Sequence, residues 1–126
     1  MQVRNAMHRI LIVEDEALVA MPLSYALEEA GYHVAIASDG REGLERALEQ
    51  PPDLIITDYM MPRMHGLEMI QRIRKAGITI PIILLTAVPE GNLPVNPGHN
   101  CFLSKPYDEQ RLLDLVSELL DVEARK

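Results

Sequence analysis

Apolar and polar positions along the chain form alternating blocks with the period of a strand or of a helix. Short, almost fully apolar runs predict strands that helices cover on both faces. Between these runs, apolar residues recur every three or four positions, which predicts amphipathic helices. The predicted strands are 10–13, 33–37, 54–57, 82–85 and 101–104, and the predicted helices are 16–30, 41–50, 66–76 and 108–122. This alternation indicates an α/β fold, a doubly wound five-stranded parallel sheet.

The helical pattern also predicts which side chains face the core. One face of the first helix is expected to carry Leu18, Met21 and Tyr25. The residues expected to face inward are Leu44, Ala47 and Leu48 in the second helix and Leu67, Ile70 and Ile73 in the third, and the apolar stripe of the last helix is expected to run along Leu112, Leu115, Val116 and Leu119. Pro22 is expected to kink the first helix because proline lacks a backbone donor. The methionines near the third helix, Met60, Met61, Met64 and Met69, are expected to pack in the core.

One stretch interrupts the alternation of strands and helices. Pro89, Pro94 and Pro97 lie within twelve residues, 89–100, which also contain two glycines. Prolines at this spacing leave too few residues for a stable helix. We therefore expect a loop where the pattern otherwise calls for a fourth helix.

Size and charge exclude several classes of protein. With 126 residues, the chain is expected to form a single domain with a core of about 8–122. The net charge of −7 and the absence of a cluster of basic residues argue against direct nucleic-acid binding. No run approaches the roughly 20 apolar residues of a membrane helix, so membrane insertion is not expected. The single cysteine, Cys101, is typical of a reducing compartment, and we expect a cytoplasmic location.

Candidate chemistry lies where four of the predicted strands end. Glu14 and Asp15 follow the first strand, Asp58 the third, Thr86 the fourth, and Lys105 the fifth. In a sheet of order 2-1-3-4-5 strands one and three are neighbours, and ligands bind at this switch point. Clustered carboxylates repel each other, and a divalent cation such as Mg²⁺ relieves the repulsion. The set is therefore suited to phosphoryl transfer onto a carboxylate, with a lysine and a hydroxyl at the phosphoryl oxygens.

Simpler explanations exist for each residue taken alone. Asp15 and Glu16 are also suited to cap the first helix, and any one acid is also explained as a solvated loop charge. Thr86 and Lys105 are each explained equally well as an ordinary strand-end residue. Phe102 is explained as well by the core as by any function.

Four motifs together resemble those of bacterial response-regulator receiver domains of the chemotaxis-regulator type. They are Glu14-Asp15, the loop from Asp58 to Gly66, Thr86-Ala87, and Lys105-Pro106, each at the end of a different strand. The resemblance implies a flavodoxin-like receiver fold, with the fourth helix degraded to a loop in this chain.

The resemblance also implies a role for each residue of the site. Asp58 is the expected phospho-acceptor, Thr86 and Lys105 are expected to bind the phosphoryl group, and Thr86 and Phe102 to switch on activation. Glu14, Asp15, Asp58 and the backbone carbonyl of Met60 are the expected ligands of Mg²⁺ or Mn²⁺, Glu14 directly or through water. The peptide bond Lys105-Pro106 is expected to be cis. His65 stands where the family usually has Asp, which we expect to affect the chemistry little.

The implied function is a phosphorylation-dependent switch within a phosphorelay. The expected phosphoryl donor is a sensor histidine kinase or a histidine phosphotransfer protein, and the output partner is a protein that the sequence does not name. A receiver cut from a larger regulator or hybrid kinase, and a receiver-like module that is never phosphorylated, remain alternatives. A phosphatase of the haloacid-dehalogenase type is disfavoured, because it needs an acid where Met60 stands. Only self-phosphorylation and self-dephosphorylation are expected, and no enzymatic turnover.

Overall fold

The computed structural model of the chain describes residues 8–61, 63–87 and 101–124. The described residues form five strands and four helices. The strands are β1 (Arg9–Val13), β2 (His33–Ala37), β3 (Leu54–Asp58), β4 (Ile82–Thr86) and β5 (Cys101–Ser104). The helices are α1 (Ala17–Glu29), α2 (Gly40–Glu49), α3 (Gly66–Lys75) and α4 (Glu109–Ala124). Every predicted element is present, with ends that differ by at most two residues.

The strands form one parallel sheet in the predicted order, β2-β1-β3-β4-β5. Every residue of β3 and β4 is buried, as expected of central strands that are covered on both faces. Side chains alternate between two core clusters, one on each side of the sheet. Ile10 and Ile12 belong to the first cluster, and Leu11 and Val13 belong to the second. Full burial of an aliphatic side chain of this size contributes about 1.5–3 kcal/mol.

The apolar face that the sequence indicates on α1 is exposed to solvent and is not the buried face. Leu18, Met21 and Tyr25 are 92%, 44% and 59% exposed. The buried face is the adjacent stripe, formed by Ala20, Leu23, Ser24 and Leu27. Both stripes have helical spacing, so the period alone could not decide between them. Pro22 lies within the helix, on the exposed side.

Two packing predictions are wrong, and the others are confirmed or partly confirmed. Leu48 is 48% exposed and Met60 is 56% exposed. In α2 the buried face consists of small residues, Gly40, Gly43 and Ala47. The predicted faces of α3 and α4 are confirmed, with Leu115 and Leu119 partly buried against the first core cluster.

The predicted loop at 89–100 lies outside the described residues. Its replacement of a helix between β4 and β5 therefore remains a prediction. Among the residues that the structure describes, no helix is long and apolar enough to cross a membrane.

Candidate functional site

The parallel sheet brings together, at one edge, the four strand ends that carry the predicted site residues. Asp58 is the last residue of β3, rather than the first residue of the loop, and pairs with Leu85 of β4. Glu14 follows β1 directly, and its backbone N–H donates to the carbonyl of Ala37 at 3.0 Å. Thr86 ends β4 opposite Ser104, the residue before Lys105. The convergence that the strand order predicts is therefore present.

Three carboxylates form the centre of this edge. Oxygens of Glu14, Asp15 and Asp58 all lie within 4.8 Å of one another. Glu14 is 4% exposed and Asp58 is 8% exposed, whereas Asp15 lies at the surface. Burial, followed by the charge of Asp58, raises the pKa of Glu14 to about 7, although the backbone N–H of Glu16 and the charge of Lys105 oppose this. Negative charge is thus concentrated at a partly desolvated position.

Lys105 supplies a positive charge to this cluster. Its Nζ lies 2.6 Å from Oδ1 of Asp58. Burial lowers the pKa of Lys105, but the hydrogen bond and the charge of Asp58 outweigh burial and leave that pKa raised. The backbone N–H of Lys105 donates to the carbonyl of Thr86 at 2.8 Å, and the Lys105-Pro106 bond is cis, as predicted. The position of the Lys105 ammonium group is therefore set by the ends of two neighbouring strands, β4 and β5.

The other predicted site residues lie around this centre. Thr86 is 2% exposed. Phe102 is partly buried in β5 and pairs with Leu84 of β4. Met60 presents its side chain to solvent two residues after Asp58. The ligand role of the Met60 carbonyl and the switch role of Thr86 and Phe102 remain predictions.

Backbone contacts hold the loop between β3 and α3, and sequence reasoning missed them. A Cβ on Gly66 would fall on the carbonyl oxygen of Asp58, so only glycine permits this approach. The N–H of Gly66 donates to the carbonyl of Tyr59 at 2.9 Å, and the N–H of Tyr59 donates to that of Leu85 at 3.0 Å. His65 is exposed at the N-cap of α3, where its ring meets that of Tyr59 edge-on.

The N-terminus of α2 supports the far side of the same loop. A Cβ on Gly40 would fall on the carbonyl oxygen of Met64. Asp39 accepts from the N–H of Glu42 at 2.8 Å and lies 3.5 Å from Nη1 of Arg63, a non-glycine residue with φ of 68°. An acid at the N-cap followed three residues later by Glu is a capping-box sequence. That signal was available in the sequence, whereas the contact with Arg63 was not.

The residues present fit a divalent cation. Carboxylate oxygens are the donors that Mg²⁺ and Mn²⁺ prefer. The raised pKa of Glu14 reports the burial and repulsion that a bound cation would offset. One of the three carboxylates is exposed, which leaves the cluster accessible from solvent.

Comparison with known proteins decides the family. A family model described as the response regulator receiver domain matches residues 10–117. The chain belongs to the response-regulator receiver family. Receiver domains of this family act in phosphorylation-dependent two-component signalling, interact with histidine kinases or phosphotransfer proteins, and bind Mg²⁺ in an acidic pocket.

Individual relatives give the same result. The transcriptional regulatory protein YkoG of Bacillus subtilis is 41% identical over 114 residues, which are 88% of this receiver chain and 50% of that protein. The alkaline phosphatase synthesis transcriptional regulatory protein PhoP of the same organism is 36% identical over 115 residues, 89% of this chain and 48% of PhoP. The chain therefore spans about half the length of the curated relatives that it matches.

A solved structure confirms the receiver fold. The chemotaxis response regulator CheY4 of Vibrio cholerae superimposes with a TM-score of 0.82 at 33% identity, and the match covers 90% of this chain and 98% of CheY4. The prediction of a flavodoxin-like receiver fold with strand order 2-1-3-4-5 is confirmed.

Proposed function

We propose that Asp58 accepts a phosphoryl group from a phosphohistidine on a sensor histidine kinase or a histidine phosphotransfer protein. The observation that carries this proposal is the position of Asp58 between two other carboxylates and the Lys105 ammonium, 2.6 Å away. A nucleophilic carboxylate needs neighbours that neutralise the oxygens of the incoming group. The membership of the chain in the receiver family supports the same assignment.

In the transfer step, the bond from phosphorus to the donor imidazole nitrogen breaks as a bond forms to a carboxylate oxygen of Asp58. The product is an aspartyl phosphate and an unphosphorylated histidine on the donor. Lys105 then shifts its hydrogen bonding to phosphoryl oxygens, and the hydroxyl of Thr86 donates to another. Each interaction is stronger with the transferring group, which carries more charge than a single carboxylate.

Glu14, Asp15, Asp58 and the carbonyl of Met60 are the groups that would hold Mg²⁺ or Mn²⁺. Bound there, the cation would supply positive charge to the carboxylates and to the phosphoryl oxygens. Burial and the charge of Asp58 raise the pKa of Glu14, so full ionisation of the three carboxylates costs free energy that a cation would offset. Transfer should therefore depend on a divalent cation.

We do not propose turnover of a separate substrate. A phosphatase that uses Asp58 as nucleophile would need a general acid two residues later, and the thioether of Met60 cannot transfer a proton. Self-phosphorylation by small donors and self-dephosphorylation are the reactions that this site supports.

A solvent-exposed apolar stripe on α1, formed by Leu18, Met21 and Tyr25, is proposed to bind the donor protein. It begins three residues after Asp15 in the sequence, and its side chains are 92%, 44% and 59% exposed. Exposed apolar residues in a contiguous group mark interaction surfaces. A double change, Leu18→Ser with Met21→Ser, should slow transfer from a donor protein and leave phosphorylation by acetyl phosphate unchanged.

We propose that phosphorylation alters a protein-binding surface near Thr86 and Phe102, within a single receiver domain whose core spans about 8–122. Thr86 ends β4, and Phe102 pairs with Leu84 on the neighbouring strand. Because β4 and β5 are paired, movement of Thr86 towards a phosphoryl group would displace the adjoining residues of β5. The output partner is proposed to be a protein, because the net charge of −7 disfavours direct contact with nucleic acid.

The deciding experiment is incubation with acetyl phosphate and Mg²⁺, followed by intact mass. Wild type should gain one phosphoryl group, Mn²⁺ should substitute for Mg²⁺, and EDTA should prevent the gain. Asp58→Asn is the matched variant, since it keeps the size of the side chain and removes the nucleophile. An equal mass gain in Asp58→Asn, or no effect of EDTA, would show the assignment to be wrong.

A further inference from the structure

Thr57 is a fully buried hydroxyl in an apolar environment, next to the proposed phospho-acceptor. Its exposure is 0%, and the rest of β3 before it is Leu54, Ile55 and Ile56. Its neighbours on the adjoining strands are Val13 and Leu84, both of which belong to the second core cluster.

Packing alone does not explain a threonine at this position. Burying a hydroxyl costs free energy unless the group makes a hydrogen bond, whereas valine has almost the same shape and carries no polar atom. Valine is also at least as well suited as threonine to a central strand. A role for the hydroxyl must therefore lie in the hydrogen bond that it makes.

That hydrogen bond reaches the backbone of Asp58. Oγ1 of Thr57 donates to the carbonyl oxygen of Asp58 at 3.0 Å. The pairing of β1 with β3 ends at Val13 and Thr57, so the Asp58 carbonyl lies one residue beyond the part of β3 that pairs with β1. On the other side of the same peptide group, the N–H of Tyr59 donates to the carbonyl of Leu85 at 3.0 Å.

The peptide group after Asp58 is thus held at both of its polar ends. Gly66 closes against the same carbonyl oxygen, at the point where a Cβ would collide with it. Rotation of this peptide would redirect both the carboxylate of Asp58 and the chain that leads to the Met60 carbonyl.

We propose that Thr57 is a positioning residue for phosphoryl transfer. Its hydroxyl fixes the Asp58-Tyr59 peptide group and thereby the orientation of the Asp58 carboxylate. This inference rests on the proposed role of Asp58. Thr57 itself touches neither the phosphoryl group nor the cation.

The test compares Thr57→Val, which removes the hydroxyl and keeps the shape, with Thr57→Ser, which keeps the hydroxyl. Thr57→Val should lower the rate of phosphorylation by acetyl phosphate by roughly 3- to 10-fold, the loss typical of one neutral hydrogen bond. Thr57→Ser should retain the wild-type rate within about twofold, since its hydroxyl reaches the same carbonyl. Thermal unfolding of every variant is measured alongside, and phosphorylation is assayed well below the lowest melting temperature, so that a slower rate reports positioning and not unfolding.

Amide hydrogen exchange supplies a readout that does not depend on activity. The Tyr59 amide should exchange faster in Thr57→Val than in wild type or Thr57→Ser, because its peptide has lost one of two restraints. Equal Tyr59 exchange and equal phosphorylation in Thr57→Val and wild type would overturn the inference. So would a Thr57→Ser variant as slow as Thr57→Val, since the methyl group would then be responsible.

A second pair keeps the test decisive if Thr57→Val unfolds. Thr57→Ala and Thr57→Ser differ only in the hydroxyl, and the serine variant should be the faster of the two; equal rates would contradict the inference. Absence of any mass gain in wild type would instead refute the proposed function of Asp58, and the exchange of Tyr59 would still test the role of Thr57.

Discussion

Gly40→Ala should disturb the site from a helix that contributes no predicted ligand. The new Cβ would fall on the carbonyl oxygen of Met64 and would lie 3.0 Å from both the carbonyl carbon and the Cβ of Met64. These are backbone atoms or atoms next to the backbone, so no flexible side chain can move aside. The loop between β3 and α3, which carries Met60, must move instead.

The magnitude follows from two opposing contributions. Overpacking against a fixed backbone costs roughly 1–3 kcal/mol, while replacing glycine by alanine within a helix gains up to about 1 kcal/mol. We therefore expect Gly40→Ala to lower the free energy of unfolding by about 1–2 kcal/mol, and the melting temperature by roughly 3–8 °C. Because the loop shifts, the affinity for Mg²⁺ should fall about tenfold, as for other residues that support a metal site.

Thermal unfolding and Mg²⁺ titration calorimetry measure both quantities, with Gly77→Ala as the control. Gly77 follows α3 at the end away from the site and has φ of 89°. Among the described residues, no atom apart from its own chain neighbours would lie within 4 Å of an added Cβ. Alanine there costs about 1–2 kcal/mol of backbone strain but should leave Mg²⁺ affinity unchanged. If Gly40→Ala binds Mg²⁺ as wild type does, or Gly77→Ala weakens binding equally, the loop is not the link between α2 and the site.

Three further predictions test the charge, the helix cap and the core. Lys105→Ala should slow phosphorylation by acetyl phosphate on the order of 100-fold. It should not weaken Mg²⁺ binding, since it removes a positive charge beside the carboxylates. Weaker Mg²⁺ binding by calorimetry would contradict this. Glu42→Gln should cost about 0.5 kcal/mol at pH 7 in urea unfolding, because solvent screens this exposed carboxylate in the first turn of α2. The backbone N–H and then the hydroxyl of Ser38 lower the pKa of Glu42, so its contribution is complete above the unfolded value of 4.5 and is lost as the pH falls through the lower folded pKa. A cost as large at pH 3 as at pH 7 would refute the reasoning. Ile83→Ala, at a position with 0% exposure in the first core cluster, should cost about 2–5 kcal/mol in the same assay, and a smaller loss would indicate that the core closes around the gap.

The order of strands and helices and the location of the site were predictable because both depend on local pattern. A run such as Leu54 to Thr57 is apolar throughout, which indicates a strand with both faces covered. Parallel strands all end at the same edge of a sheet, so residues that follow such runs must meet there. Asp15, Asp58 and Lys105 could be grouped for that reason alone.

The exposed side of α1 could not be predicted in the same way. Leu18, Met21 and Tyr25 are as regularly spaced as Ala20, Leu23 and Leu27, and the larger side chains belong to the stripe that faces solvent. The spacing of a helix shows that a face exists, but contact with the sheet selects which face is buried. Leu48 and Met60 were misplaced because their surroundings come from distant parts of the chain.

The sequence by itself determined the alternation of strands and helices, the identity of the acidic and basic groups, and the strand end at which each group would lie. Only the tertiary structure decided how the chain around Asp58 is held, by the hydrogen bond from Tyr59 to Leu85, the close approach of Gly66, and the Gly40–Met64 contact beyond them. The physical reason is the separation along the chain over which each kind of interaction acts. Hydrophobic period and turn residues act over a few positions, whereas the geometry of a carboxylate depends on backbone atoms that meet only when separate elements pack.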